Sequence, residues 1–132
     1  MAKCVLSQKE IDAVLVTDAP TRLLYTVKRV ADWEEIWTLT TVDGFVLLGS
    51  KDEIEIVPVW PFIEFAQQCC NGKWADATPF CITLDKFMNK WIPGMITDQR
   101  QVAVFPTPQD QANVLTAVNF KAALEEALSE FE

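Results

Sequence analysis

The chain predicts a single α+β domain over residues 1–132, with a mainly antiparallel sheet of about five strands and helices packed on it. Three observations predict that class. Segments with apolar residues at helical spacing lie at both ends and in the middle. Between them stand β-branched and aromatic runs joined by links too short for parallel crossovers. No repeat, low-complexity segment or linker interrupts the order α-α-β-β-β-α-(β)-α-β-β-α. A domain of this length buries roughly two-thirds of its unfolded surface. Hydrophobic residues at 50% and charged residues at 23% are ordinary globular usage, which argues against disorder.

Ser7-Gln8-Lys9-Glu10 is a capping-box pattern, with Glu10 expected to reach back to Ser7 and Leu6 to staple onto Ile11. A short helix follows to about Val16. Asp18 is the candidate N-cap of a second helix, with Pro20 in its first turn and Leu23, Leu24, Val27, Val30 and Ala31 on its apolar face. The acidic run Asp32-Trp33-Glu34-Glu35 opposes the helix dipole, so this helix is expected to end near Ala31.

Ile36 to Val42 reads as a strand, Asp43-Gly44 as a hairpin turn, Phe45 to Leu48 as the returning arm, and Ile54 to Val59 as a third strand of a meander. Pro58 cannot donate to a ladder and belongs at a strand end or an edge. Pro61 is expected in the first turn of a helix whose stripe is Phe62, Phe65, Ala66 and Cys69, with Asn71-Gly72 as its stop. Lys73 to Pro79 is a loop carrying Trp74, and Phe80 to Ile82 is a short strand or an extended connector.

Thr83 caps a helix with stripe Leu84, Phe87, Met88 and Trp91, expected to close at Pro93-Gly94. Gln101 to Phe105 is apolar on both faces, the mark of a central strand, and Ala112 to Leu115 is its hairpin partner. Thr116 caps a last, amphipathic surface helix bearing Phe120, Leu124, Leu128 and Phe131.

With 11 basic against 19 acidic residues the formal net charge is −8, which repels phosphate backbones and anionic headgroups. No nucleic acid and no membrane is therefore expected as partner; Lys28-Arg29 is the one adjacent basic pair. No apolar run reaches the roughly 20 residues of a membrane span, and no signal-peptide block opens the chain, so the expected location is cytoplasmic. Cys4, Cys69, Cys70 and Cys81 are then reduced and structural. No C-x-x-C and no histidine occurs, so no metal and no cofactor is expected.

Cys69-Cys70 closes a helix, where the dipole disfavours a thiolate, and no histidine supplies a base. Glu34-Glu35, Asp52-Glu53-Glu55 and Asp85 are carboxylate candidates whose ordinary place is a solvated turn; Glu64, in a first helical turn, suits the helix dipole. The four glycines all fall at turns or helix ends and build no phosphate loop or nucleophile elbow. Five tryptophans stand mostly at element ends, where a ring closes the core or anchors a partner. Candidate binding residues are Trp60, Glu64, Trp74, Asp85, Trp91 and Trp33, with no catalytic residue assigned.

The motifs Pro58-Val59-Trp60-Pro61 with Glu64-Phe65-Ala66, Leu84-Asp85-x-Phe87 with Trp91-x-Pro93-Gly94, and Val102-Ala103-Val104-Phe105-Pro106-Thr107-Pro108 resemble the bacterial domain-of-unknown-function family numbered 2750. Val30-Ala31-Asp32 with Glu35-x-Trp37 fits the same pattern. In that family a histidine often follows the second proline of P-V-W-P; here the residue is Phe62, so no histidine chemistry can be common to the family and present in this chain. The resemblance implies a small soluble bacterial protein and no particular reaction.

Two functions from different classes follow. One is a non-enzymatic, acidic module that binds a protein partner, in the manner of an inhibitor or immunity protein steered onto a basic target. The other is a small-ligand binder or hydrolase with a pocket between the Trp60-Pro61 and Trp91-Pro93-Gly94 turns, using Glu64 or Asp85 as its acid. A homodimer through the last helix is a third expectation.

Overall fold

The computed structural model describes residues 7–42, 44–47, 55–70, 74–107 and 113–129. Helix α1 (Gln8–Leu15) starts at Ser7, whose hydroxyl accepts from the Glu10 amide at 3.1 Å. The Glu10 carboxylate goes elsewhere: it accepts from the Tyr25 hydroxyl at 2.5 Å, tying α1 to α2. Burial pushes the Tyr25 phenol up, and the hydrogen bond to Glu10 adds to it. Leu6 lies outside the described residues.

Helix α2 (Ala19–Trp33) starts at Asp18, which accepts from the Thr21 amide at 2.9 Å. That bond holds the Asp18 carboxyl below its ordinary value. The helix runs past Ala31 to Trp33 and is closed by Glu34 in the left-handed region, φ 58°. The Glu34 amide bonds the Val30 carbonyl at 2.8 Å, and its carbonyl accepts from the Leu84 amide at 2.8 Å. The capping bond and the tertiary bond from Leu84 together override the weak dipole penalty.

Six strands among the described residues form two three-stranded sheets, ordered β2-β1-β4 and β3-β5-β6. They are β1 (Glu35–Thr41), β2 (Gly44–Phe45), β3 (Ile56–Val59), β4 (Thr78–Thr83), β5 (Gln101–Val104) and β6 (Asn113–Thr116). Three of the pairings are antiparallel, but β3 pairs parallel with β5, so the expected meander stops after β2. Its link to β5 passes through a helix, β4 and a second helical segment, long enough for a crossover. Asp43, Leu48 to Ile54 and Ala112 lie outside the described residues.

The two sheets meet at one antiparallel bridge, Trp37 to Trp60, with amide-to-carbonyl bonds of 2.9 and 2.8 Å. One edge of β1 is thus shared between β2 and the end of β3. Along β3 the Glu55 and Val59 carbonyls face β5, whereas Trp60 faces β1, so the nitrogen of Pro58 also points to β1. There the Pro58 carbonyl accepts from the Thr38 hydroxyl at 2.7 Å, and the missing N–H interrupts no ladder. The weak segment around Phe80 is the long partner of β1, with Pro79 opposite Leu39. Since the Leu39 carbonyl bonds Val46, Pro79 turns its nitrogen outward and removes a donor from the open edge of β4.

Pro61 stands two residues ahead of α3 (Ile63–Gln68), making the bend rather than the first turn; Phe62 is the N-cap and its side chain makes no capping bond. Phe65, Ala66 and Cys69 face the core. Asn71-Gly72 lies outside the described residues.

The expected helix end at Pro93-Gly94 is inside a longer helical segment. It comprises α4 (Leu84–Lys86), a π turn (Phe87–Trp91) and α5 (Ile92–Thr97). The Thr83 hydroxyl accepts from Lys86 at 3.3 Å, as a cap should. A proline ring presses on the carbonyl four residues back, and a widened turn directly before Pro93 relieves that contact. The Ile92 amide reaches back to Phe87 across this turn.

Helix α6 (Ala117–Ser129) follows β6, with Thr116 accepting from the Asn119 amide at 3.1 Å. Phe120 and Leu124 are fully buried, and Phe87 meets Phe120 edge-on at 5.9 Å. Leu128 is half-buried against the same core, and Phe131 lies outside the described residues.

Candidate functional site

Two aromatic clusters differ in what surrounds them. The first is built around Trp60, which is fully buried and donates its indole N–H to the Pro106 carbonyl at 2.8 Å. Nearby, Phe105 takes a left-handed φ of 59°, costly for a bulky residue. Buried Arg22 holds that turn: its Nε donates to the Phe105 carbonyl at 3.1 Å, Nη1 donates to the Thr17 carbonyl, and the guanidinium lies 5.8 Å from the Phe105 ring. Phe65 packs on Phe105 at 4.6 Å. Among the described residues no buried side-chain nitrogen or oxygen lacks a partner.

The second cluster is open. Gly44 at φ 119° turns the chain, and its carbonyl accepts from the Thr40 and Thr41 hydroxyls at 3.2 and 3.3 Å. That turn sets Phe45 opposite Thr40, while β4 sets Phe80 opposite Thr38, two residues along the same face. The Phe45 ring meets Phe80 at 5.1 Å and Trp91 at 4.7 Å, both edge-to-face. Phe45 remains 44% exposed and Phe80 41%, which marks a surface cluster rather than core.

Beside these rings lies a cleft of about 540 Å³. Phe45, Leu47, Val57, Trp91 and Met95 form its apolar wall, Gly94 lines it, and Lys90, Asp98 and Arg100 supply its charge. The π turn carries both Lys90 and Trp91 into this lining. Arg100 makes long contacts to Glu55 at 3.3 Å and to Asp98 at 3.6 Å, and both carboxylates are more than half exposed.

Of the six residues singled out from the sequence, Trp91 alone lines the cleft. Trp60 is core. Glu64 is half-buried at the start of α3, and Asp85 is exposed and accepts from Asn89 at 2.9 Å. Trp33 and Trp74 are half-buried elsewhere. Phe45, Lys90, Met95 and Arg100 carried no signal except that they follow a hairpin turn or flank Pro93-Gly94.

Cys69 and Cys70 lack the surroundings of a nucleophile, and Cys4 lies outside the described residues. Burial pushes the Cys69 thiol up to about 11, with Cys70 adding to it, and the thiol sits 3.4 Å from the Pro106 carbonyl. Cys70 is raised by burial as well, and bonds the Ala66 carbonyl at 3.5 Å. A reactive cysteine needs the opposite shift. Among the described residues no group of three or more His, Cys, Asp or Glu side chains is arranged to hold a metal ion. None of the described helices is long and apolar enough to cross a membrane.

A family model described as a protein of unknown function, DUF2750, matches residues 23–124. The chain belongs to this family. The DUF2750 span runs from Leu23 in α2 to Leu124 in α6 and takes in both aromatic clusters and the whole cleft lining. No curated protein and no solved structure matches the chain significantly. DUF2750 membership therefore identifies the domain and assigns it no reaction.

Proposed function

We propose that this bacterial DUF2750 protein is a single-domain, cytoplasmic, non-enzymatic module that binds a protein partner through the face carrying Phe80, Phe45 and Trp91. The observation that carries this reading is the ring trio: Phe45 meets both Phe80 and Trp91, and Phe45 and Phe80 are each more than two-fifths exposed. Large rigid rings lose little entropy on binding and dominate interface energetics. The net charge of −8 favours a basic partner, with association steered by charge and slowed by salt. An inhibitor or immunity-type role fits that chemistry.

The test is a capture experiment from lysate of the source organism, comparing the wild-type chain with a Phe45→Ala, Phe80→Ala double variant. The expected result is a stoichiometric partner at low salt that the double variant does not retain. Recovery of no stoichiometric partner at low or moderate salt overturns the reading, as does equal recovery by both.

A second reading, a small-ligand binder, is favoured by the cleft itself, whose volume of about 540 Å³ lies in the range of ligand pockets. Its lining carries Asp98 in place of Glu64 or Asp85, so this reading is one of binding rather than of hydrolysis by a carboxylate pair.

A further inference from the structure

The cleft lining is of two kinds. One is an apolar wall in which Phe45 and Trp91 stand edge-to-face at 4.7 Å, with Met95 beside them. The other carries Lys90 and Arg100, two of the 11 basic residues of a chain with net charge −8, against the single carboxylate of Asp98. Lys90 makes no ion pair among the described residues. Arg100 faces Glu55 and Asp98 only at 3.3 to 3.6 Å, through carboxylates 53% and 54% exposed. Solvated pairs of this kind contribute little, so an incoming anion displaces them at small cost. A guanidinium also offers two parallel donors to a carboxylate, a geometry the present long contacts do not use well.

From this we infer that the cleft binds a small apolar acid, an aromatic or aliphatic body held on Phe45 and Trp91 with its carboxylate on Lys90 and Arg100. The inference rests on the small-ligand reading and names the class of ligand. The apolar body supplies area removed from water, and the carboxylate supplies orientation. Asp98 and Glu55 limit the preference, because they offset the charge of Arg100.

The probes are 4-phenylbutyrate and its neutral counterpart 4-phenylbutanol, titrated into the full chain while the tryptophan indole N–H signals are followed by NMR. The expected result is saturable perturbation of the Trp91 signal by both, with the acid binding about five- to tenfold more tightly, the size of a screened charge-assisted hydrogen bond. Lys90→Gln and Arg100→Gln should bring the acid to within about twofold of the alcohol and leave the alcohol unchanged. Equal binding of acid and alcohol to the wild type overturns the anionic class and leaves the small-ligand reading standing. Failure of both probes to move Trp91 at millimolar concentration removes the two together.

Discussion

Trp60 and Trp91 each stand within two residues of a following proline, and they come to opposite ends. Trp60 precedes Pro61 in a bend clamped by three partners: a bridge to Trp37, an indole bond to Pro106, and the packed shell around Phe105. Trp91 precedes Pro93 by two residues inside a helix, and the π turn leaves its ring half-buried in the cleft lining. The difference lies in what long-range bonding each ring meets. The Trp60 corner gathers residues far apart in the chain and satisfies their polar groups, so it is stiff and serves stability. The Trp91 face brings together rings that leave area uncovered, so it serves recognition.

That contrast predicts a graded set of losses. Trp60→Ala should cost about 3–5 kcal/mol in a urea titration, from the cavity it leaves, with the Pro106 carbonyl left only the weak Cys69 thiol as donor. A loss below about 1 kcal/mol would break the comparison at its strongest point. Arg22→Met should cost about 2–4 kcal/mol, because the Phe105 and Thr17 carbonyls lose their donor and the left-handed turn at Phe105 loses its clamp. Stability equal to the wild type would show that the methionine packs as well as the guanidinium bonds.

Phe45→Ala and Phe80→Ala should each cost less than about 1 kcal/mol while abolishing partner capture. A large loss of stability from either would move that ring into the core and weaken the recognition reading.

Cys69 sharpens the closed side. Its thiol should resist iodoacetamide at pH 8 until the chain unfolds. Its folded value, about 11, lies above the ordinary 9.0, so its contribution is complete below pH 9 and is lost as pH rises through 11. The stability difference between the wild type and Cys69→Ala should therefore narrow across that window. The smallest effect belongs to exposed Asp18, whose carboxyl is depressed by its bond to Thr21. Asp18→Ala should lower the melting temperature at neutral pH, and the difference should vanish as pH falls through the depressed value, below 3.8.

Four helix starts were legible because capping is local. Ser7, Asp18, Thr83 and Thr116 each bond an amide three residues on, and nothing distant decides that bond. Pro58 at an edge, the Asp43-Gly44 turn as far as Gly44, and a central Gln101–Val104 strand were legible for the same reason. The burial of Arg22 was not. Its spacing places it one and two turns before Thr26 and Val30 on the buried face, but an arginine reads as surface until the carbonyls that receive it are known. Pro93-Gly94 read as a stop because a proline-glycine pair ordinarily ends a helix, and the π turn that lets the helix continue leaves no mark in the residue pattern.

By itself, then, the sequence determined the α+β class, the family and most element starts, since periodicity, caps and turn residues act within a few positions of one another. Only the tertiary structure decided that β3 lies parallel to β5, that Trp60 is sealed while Trp91 is open, and that the cleft is lined by Phe45, Lys90 and Arg100 in place of Glu64 and Asp85. Those outcomes depend on contacts between residues far apart in the chain, such as Trp60 and Pro106 at 46 positions, for which no local pattern codes.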